Sequence, residues 1–211
     1  ANGKSFLIGR QVALSNDGTT LATIGDRGDI YVLTRVAGSW GQPLAVWQPP
    51  PNTFVSGFAL SGDGKTLAYA ASTVKAERVE EIRLQTLTHS DGAWTEETVL
   101  TVSGSKLPWY SIYDVSLSRD GRALATGVVS DSSNAVGING DAANVTEDSA
   151  NSGAVNLYHR DGTTWRHSAY LKAPKPRKFA AFGNSVALSS DGKTLAISEM
   201  NSTGVQSVYL Y

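Results

Sequence analysis

The sequence predicts an all-β fold, because one pattern of short apolar segments and tight turns recurs four times along its 211 residues. Each copy places a Ser-x-Asp-Gly tetrapeptide between two short segments that are rich in aliphatic residues. No segment shows the 3.6-residue spacing of apolar residues that is typical of an amphipathic helix. The four tetrapeptides begin at Ser15, Ser61, Ser118 and Ser189.

The first two strands of each copy flank the tetrapeptide. Before it, apolar residues alternate with others, and this period of two indicates a strand. Asp-Gly favours a hairpin, because glycine accepts a positive φ and the aspartate can bond nearby backbone amides. The alternating pairs are Val12 and Leu14, Phe58 and Leu60, Val115 and Leu117, and Val186 and Leu188. The second strands begin at Leu21, Leu67, Leu124 and Leu195.

The third strand of each copy is rich in β-branched and aromatic residues, and a tryptophan opens the fourth. The third strands are "IYVLTR", "EIRLQTL", "AVNLYHR" and "SVYLY". Trp40, Trp94 and Trp165 hold equivalent positions, so we interpret them as packing residues of the repeat. Four short strands per copy predict a β-propeller, or a propeller segment, of four four-stranded blades. The last blade is predicted to be incomplete, because Tyr211 precedes any fourth tryptophan strand.

We expect a single domain over residues 1–211, built from repeat units of about 6–50, 51–106, 107–176 and 177–211. The units differ mainly in the loop between their second and third strands, which is longest in the third unit. Such insertions collect on one face of a repeat protein, often the binding face. The incomplete last unit favours a larger propeller, completed by more chain or by a partner. A small ring closed by this chain alone is the alternative.

The composition is that of an ordinary globular protein, with 41% hydrophobic and 18% charged residues. A net charge of −1 argues against a large nucleic-acid or anionic-membrane footprint. No apolar run approaches the roughly 20 residues of a membrane-spanning helix. The chain has no cysteine, which excludes disulfides and thiolate metal sites. The N-terminus lacks a basic-then-apolar leader, so we expect any signal peptide to have been removed.

The repeat units resemble bacterial FG-GAP-type repeats of integrin-α-like β-propellers. The resemblance covers essentially the whole chain, and it is closest over the segments "NAVGINGD", "NSGAVNLYHRDGTTWRHSAYLKA" and "FGNSVALSSDGKTLAIS". It implies an exported propeller of about seven blades, located outside the cell, on its surface or in the periplasm, and used for adhesion or protein contacts. It implies no catalytic activity.

No cofactor is assigned, and calcium is the one candidate, because calcium-binding members of that family carry an Asp-x-Asp-x-Asp-Gly-like loop of closely spaced carboxylates. No unit has this loop: the matching loop of the first unit, "GDRGD", has only two carboxylates, separated by an arginine and a glycine. The long loop of the third unit holds Asp131, Asp141 and Asp148 among serines and asparagines. These carboxylates are candidate metal ligands, since calcium takes six to eight oxygen ligands. A solvated insertion whose Asx side chains cap turns is the alternative.

Aromatic residues at the connection into the third unit form the candidate binding site. The segment "LPWYSIY" contains Trp109, Tyr110 and Tyr113, and such a platform could bind a peptide or a sugar. Plain packing between blades is the alternative for these residues. Arg27-Gly28-Asp29 is an Arg-Gly-Asp tripeptide that we interpret as a tight turn rather than as a recognition motif.

No catalytic residues are assigned, because no serine lies in Gly-x-Ser-x-Gly and no histidine has an assignable catalytic partner. We therefore expect a non-catalytic binding or scaffolding propeller that mediates protein or adhesion contacts. A carbohydrate-binding propeller, a propeller hydrolase or lyase, and a subunit of a larger surface assembly are the alternatives. We expect no nucleic-acid partner and no membrane insertion.

Overall fold

A computed structural model describes residues 8–103, 112–200 and 206–211. Its described strands form four antiparallel sheets that follow one another along the chain. This arrangement confirms the predicted all-β propeller of four blades. Among the described residues, no helix is long and apolar enough to cross a membrane.

The strand bounds show where each blade begins and ends. Blade 1 contains β1 Ile8–Leu14, β2 Thr20–Gly25, β3 Ile30–Val36, β4 Ser39–Trp40 and β5 Leu44–Trp47. Blade 2 contains β6 Thr53–Leu60, β7 Thr66–Lys75, β8 Arg78–Ser90 and β9 Ala93–Ser103. Blade 3 contains β10 Ile112–Leu117, β11 Ala123–Val128, β12 Gly137–Ile138, β13 Ala154–Asp161 and β14 Thr164–Lys172. Blade 4 contains β15 Val186–Leu188, β16 Leu195–Met200 and β17 Gln206–Leu210.

Two blades depart from the predicted four strands. In blade 1 the outer strand is divided, and both β4 and β5 pair with β3, because Pro43 lacks the N–H needed to continue the ladder. In blade 3 the insertion adds a short strand, β12, outside β14. The described part of blade 4 has three strands, in agreement with the incomplete last unit.

The Ser-x-Asp-Gly turns have the same geometry in all four blades. The serine Oγ donates to the aspartate Oδ1 at 2.6–2.7 Å. It also accepts the backbone N–H five residues later, at 2.9–3.0 Å. The same Oδ1 accepts the N–H two residues after the aspartate, at 2.9–3.1 Å. The side chains thus replace missing backbone partners and fix the hairpin that starts each blade.

Apolar residues between successive blades form three cores. We call the face of a blade that meets the preceding blade its front face, and the opposite one its back face. Between blades 1 and 2, Ile24, Ile30 and Val32 of the back face pack with Leu67 and Tyr69 of the next front face. The other two cores repeat this arrangement between blades 2 and 3 and between blades 3 and 4.

The tryptophans follow the repeat only in part. Trp94 and Trp165 are partly buried and pack against the inter-blade cores, as predicted. Trp40 was predicted to pack as well, but it is exposed. Trp94 and Trp165 pack on the blade that precedes their own, and no described blade precedes blade 1. Trp47 lies out of register in the repeat, yet its ring contacts that of Tyr69 in the first core, with 4.7 Å between the centroids.

Candidate binding surface

The ends of the strands divide the molecule into two faces. The Ser-x-Asp-Gly turns lie on one face and are joined by backbone hydrogen bonds from blade to blade. The segments 26–29, 48–52, 129–153 and 173–185 lie at the opposite ends of the strands, and we call this side the loop face. The long insertion is on the loop face, together with the connections between blades. This face therefore carries most of the sequence variation between units.

A groove of about 740 Å³ opens on the loop face between blades 1 and 2. It is lined by the β2–β3 turn, the proline-rich connection and the start of β6. Phe54 is 58% exposed in this groove, while the next residue, Val55, is buried in the first core. The alternation of side chains along β6 thus anchors the strand inward and presents an aromatic ring outward.

The backbone of the groove is held by specific contacts. The Gly28 N–H donates to the Gly25 carbonyl at 2.9 Å, which closes the β2–β3 turn. Gly28 has a φ of +86° and packs beside Pro49, so a side chain here would be strained. On the other wall, the Val74 N–H donates to the Asn52 carbonyl at 2.9 Å. The groove is therefore largely pre-formed, as binding sites usually are.

The charges at the groove come from the Arg-Gly-Asp tripeptide and its neighbour. Asp26 and Arg27 are exposed, and Asp29 is half-buried. The tripeptide lies in the tight turn between β2 and β3, as interpreted from the sequence. The turn thus supplies both a cation and two carboxylates to the rim of an otherwise proline- and aromatic-lined groove.

A polar cluster of Tyr69, Gln85 and Glu96 lies next to the groove, and no pattern in the sequence indicated it; the first two residues are buried and Glu96 is exposed. Tyr69 is fully buried; its hydroxyl donates to the carboxylate of Glu96 and lies 3.1 Å from Gln85 Oε1. Burial, and then the hydrogen bond to Glu96, raise the pKa of Tyr69 well above its usual range. A cavity of about 100 Å³ next to this cluster is bounded by Trp47. Only the pairing of β7 with β8 brings Tyr69 and Gln85 together.

The aromatic residues expected to bind are described in part. Tyr113 is 53% exposed near the start of β10, on the blade next to the groove. Trp109 and Tyr110 lie outside the described residues. The binding role of all three stays a prediction. Phe54, which sequence analysis did not single out, is the exposed aromatic residue in the groove, and its position on an alternating strand was the available signal.

The three carboxylates proposed as metal ligands have different surroundings in the structure. Asp131 Oδ1 accepts bonds from Lys172 Nζ at 2.9 Å and from the Tyr170 hydroxyl at 2.9 Å. Asp141 is exposed and caps a turn by accepting the Ala143 N–H at 3.0 Å. Asp148 is exposed as well. Over the described ranges no group of three or more His, Cys, Asp or Glu residues could hold a metal ion. Calcium binding stays a prediction.

Lys172 is a further residue that the sequence did not identify. It is fully buried at the end of β14, paired with Asp131 and bonded to Ser152 Oγ at 2.7 Å. Burial lowers the pKa of Lys172, and the adjacent carboxylate of Asp131 opposes this effect. A lysine beside a serine can activate it as a nucleophile. Here the ammonium is occupied by Asp131 and Ser152 is buried, so the contact fastens the insertion to blade 3.

Comparisons with known proteins support the fold and leave the family open. No family model matches the chain, and no curated protein sequence matches it. Solved structures do match: a chain in the crystal structure of a mitotic checkpoint complex is 16% identical, with a TM-score of 0.53 over 94% of this chain and 46% of that one. A putative TolB from Agrobacterium tumefaciens is 16% identical, with a TM-score of 0.49 over 94% of this chain and 56% of that one. Both neighbours are β-propellers. The chain thus spans about half the length of the solved chains that it matches.

Proposed function

We propose that this propeller is a non-catalytic binding module, and that the groove between blades 1 and 2 recognises an extended segment of a protein partner. The observation that supports this proposal most directly is Phe54, an aromatic side chain that is 58% exposed inside a groove of about 740 Å³ with pre-formed walls. Exposed aromatic residues in such grooves are the usual anchors of protein contacts.

The chemistry of the groove fits a peptide. Pro49 and Phe54 offer apolar surface, while Asp26, Arg27 and Asp29 at the rim offer partners for backbone and charged groups. An extended segment could therefore place apolar side chains in the groove and polar ones at the rim. A similar solved chain belongs to a mitotic checkpoint complex, which is an assembly of proteins. This likeness supports a partner-binding role for the fold.

The cellular location and the adhesion role of the module are part of the same proposal. The FG-GAP-type resemblance supports an exported protein, located outside the cytoplasm, that makes adhesion contacts. The absence of cysteine is compatible with an oxidising compartment. Secretion of the natural gene product with cleavage of a leader would support this location, and retention in the cytoplasm would contradict it.

The experiment selects peptides from a displayed random library on the immobilised chain and measures their affinity by calorimetry. Phe54→Ala is expected to weaken the selected peptides at least about tenfold, because the anchor is lost. Val36→Ala is the matched control, since Val36 is also exposed and lies at the opposite end of blade 1. Equal affinities for both variants would contradict the groove as the site. Signal on a glycan array, with no selected peptide, would favour the carbohydrate alternative.

A further inference from the structure

The three internal contacts between blades repeat one geometry at the Ser-x-Asp-Gly turns. A turn N–H donates to the carbonyl of the second turn residue in the next blade. The pairs are Asn16 with Gly62 at 2.8 Å, Asp63 with Arg119 at 2.8 Å, and Arg119 with Ser190 at 3.0 Å. In each pair of neighbouring blades, the glycine of the later turn packs on the first residue of the second strand of the earlier blade. These pairs are Gly64 on Thr20, Gly121 on Thr66, and Gly192 on Ala123.

The apolar residues at these contacts also occupy equivalent positions. In blades 2, 3 and 4, the two apolar residues before the turn pack against the preceding blade on the front face. In blade 3 these residues, Val115 and Leu117, are only 4% and 8% exposed. On the back face, Ile30 and Val32 of β3 are covered by the following blade, at 0% and 4% exposure. Each internal contact thus joins one front face to one back face.

The same positions are uncovered at the two ends of the row of blades. On the front face of blade 1, Val12 is 67% and Leu14 is 55% exposed. On the back face of blade 4, Val208 and Leu210 stand where Ile30 and Val32 stand in blade 1, and they are 69% and 73% exposed.

The turn groups that take part in this contact also lack described partners on the outer faces of blades 1 and 4. At Gly18, no described atom lies within 4 Å of the position that a Cβ would take. Thr194, the equivalent of Thr20 and Thr66, is exposed on blade 4. In the described part of the chain, the Asn16 carbonyl and the Ser190 N–H have no backbone partner. The two end faces are therefore the two halves of the contact that the chain already makes three times.

We propose that two copies of this chain associate through these end faces, with blade 4 of each copy packed against blade 1 of the other. Leu14 of one copy then meets Leu210 of the second, and the same pair forms again at the other junction, as two-fold symmetry requires. The result is a closed ring of eight blades in which no end face is left exposed.

Each copy carries one front face and one back face that no described residue covers. One further copy therefore covers both end faces at once. This proposal rests on the repeated inter-blade contact and does not depend on the peptide groove.

The test measures the mass of the purified 211-residue chain by light scattering after size exclusion, over a range of concentrations. We expect twice 22.3 kDa for the wild type. Leu14→Lys and Leu210→Glu are each expected to give a monomer, since each places a charge against an apolar residue at both junctions. Circular dichroism checks that the variants fold, and both positions are exposed within one copy.

Mixing the two variants gives a second test, because variants that had simply failed to fold would not associate when mixed. In a mixed pair, the cation introduced by Leu14→Lys meets the carboxylate introduced by Leu210→Glu at one junction, and the other junction is wild type. The mixture is therefore expected to recover the two-copy mass. A wild-type chain that stays monomeric at high concentration, a mixture that fails to associate, or open chains of many copies would each overturn the proposal. Phe54→Ala should leave the mass unchanged, which separates this result from the peptide-binding test.

Discussion

Single residues of the Ser-x-Asp-Gly turn show how an exposed carboxylate can contribute to a fold. Asp17 accepts hydrogen bonds from the Ser15 hydroxyl at 2.6 Å and from the Thr19 N–H at 2.9 Å. These bonds, the one from Ser15 first, lower the pKa of Asp17 to about 2. The pKa of Asp191 is lowered by the equivalent bonds. At Asp120 burial raises the pKa, but the bonds from Ser118 and the Arg122 N–H outweigh it and the pKa is lowered too.

The direction of these shifts predicts a loss of stability in acid. A carboxylate whose pKa is lower in the folded chain stabilises it above the unfolded pKa of about 4, and this contribution disappears as the pH falls towards 2. Asp17→Asn removes the charge at every pH. We expect the variant to melt below the wild type at pH 5, and the difference to shrink steadily as the pH is lowered to 2.5.

Thermal unfolding followed by circular dichroism across this range measures the effect. Asp148→Asn is the control, because Asp148 is exposed and its carboxylate makes no hydrogen bond to a described residue. A gap between Asp17→Asn and the wild type that stays constant from pH 5 to pH 2.5 would disprove the role of the ionised carboxylate.

At the scale of elements, a buried ion pair links the insertion of blade 3 to β14. Lys172 Nζ and Asp131 Oδ1 are 2.9 Å apart, and the lysine side chain has no exposed surface. Removing one partner of a buried pair leaves the other charge uncompensated, which is more costly than losing a surface pair. The attachment of residues 129–153 to β14 thus combines the pairing of β12 with a buried contact between residues that are distant in sequence.

Lys172→Met is expected to lower the free energy of unfolding by about 3 kcal/mol and to speed hydrogen exchange in the insertion. Lys178→Met is the matched control, since its 3.6 Å pair with Glu147 is exposed and contributes less than about 1 kcal/mol. Urea unfolding and exchange mass spectrometry measure both quantities. Adding Asp131→Asn should restore part of the loss, because it removes the unpaired charge. Equal stability of the two lysine variants would refute the anchoring role.

The turns are held by contacts that are local in sequence, whereas the insertion is held by contacts between distant residues. This difference explains what could be predicted from the sequence. The hairpins follow from local chemistry, because Ser61, Asp63 and Gly64 interact within six residues, and four copies repeat the same signal. The pairs Lys172–Asp131 and Tyr69–Glu96 join residues 41 and 27 positions apart, and nothing periodic marks them. The prediction for Trp40 was wrong because its equivalents, Trp94 and Trp165, pack on a preceding blade, and no described blade precedes blade 1.

At the scale of the whole molecule, the blades are spaced by the glycines of their turns. A Cβ at Gly121 would lie 2.4 Å from Thr66 Oγ1, at Gly64 2.8 Å from Thr20 Oγ1, and at Gly192 3.1 Å from Ala123 Cβ. Each glycine therefore allows the following blade to approach the earlier one closely. The same turn at Gly18 faces no described neighbour within 4 Å.

Alanine substitutions at the four turn glycines separate the free-energy cost of backbone strain from the cost of pushing two blades apart. Gly18 and Gly121 have similar φ values, +69° and +65°, so alanine adds comparable strain of about 1 kcal/mol at both. Unlike Gly18→Ala, Gly121→Ala also collides with another blade, which should cost about 1–3 kcal/mol more. We expect the loss of stability to increase in the order Gly18, Gly192, Gly64, Gly121.

Urea unfolding in a Leu210→Glu background measures the series, because that substitution keeps Gly18 uncovered by a second copy. If all four alanine variants lost the same free energy, strain alone would account for the glycines and the blades would not be spaced by them. If instead Gly18→Ala became as costly as Gly121→Ala only when Leu210 is restored, the turn of blade 1 must meet a fifth blade. Gly18, which no described residue approaches within one chain, would then be the most direct reporter of how the ring is completed.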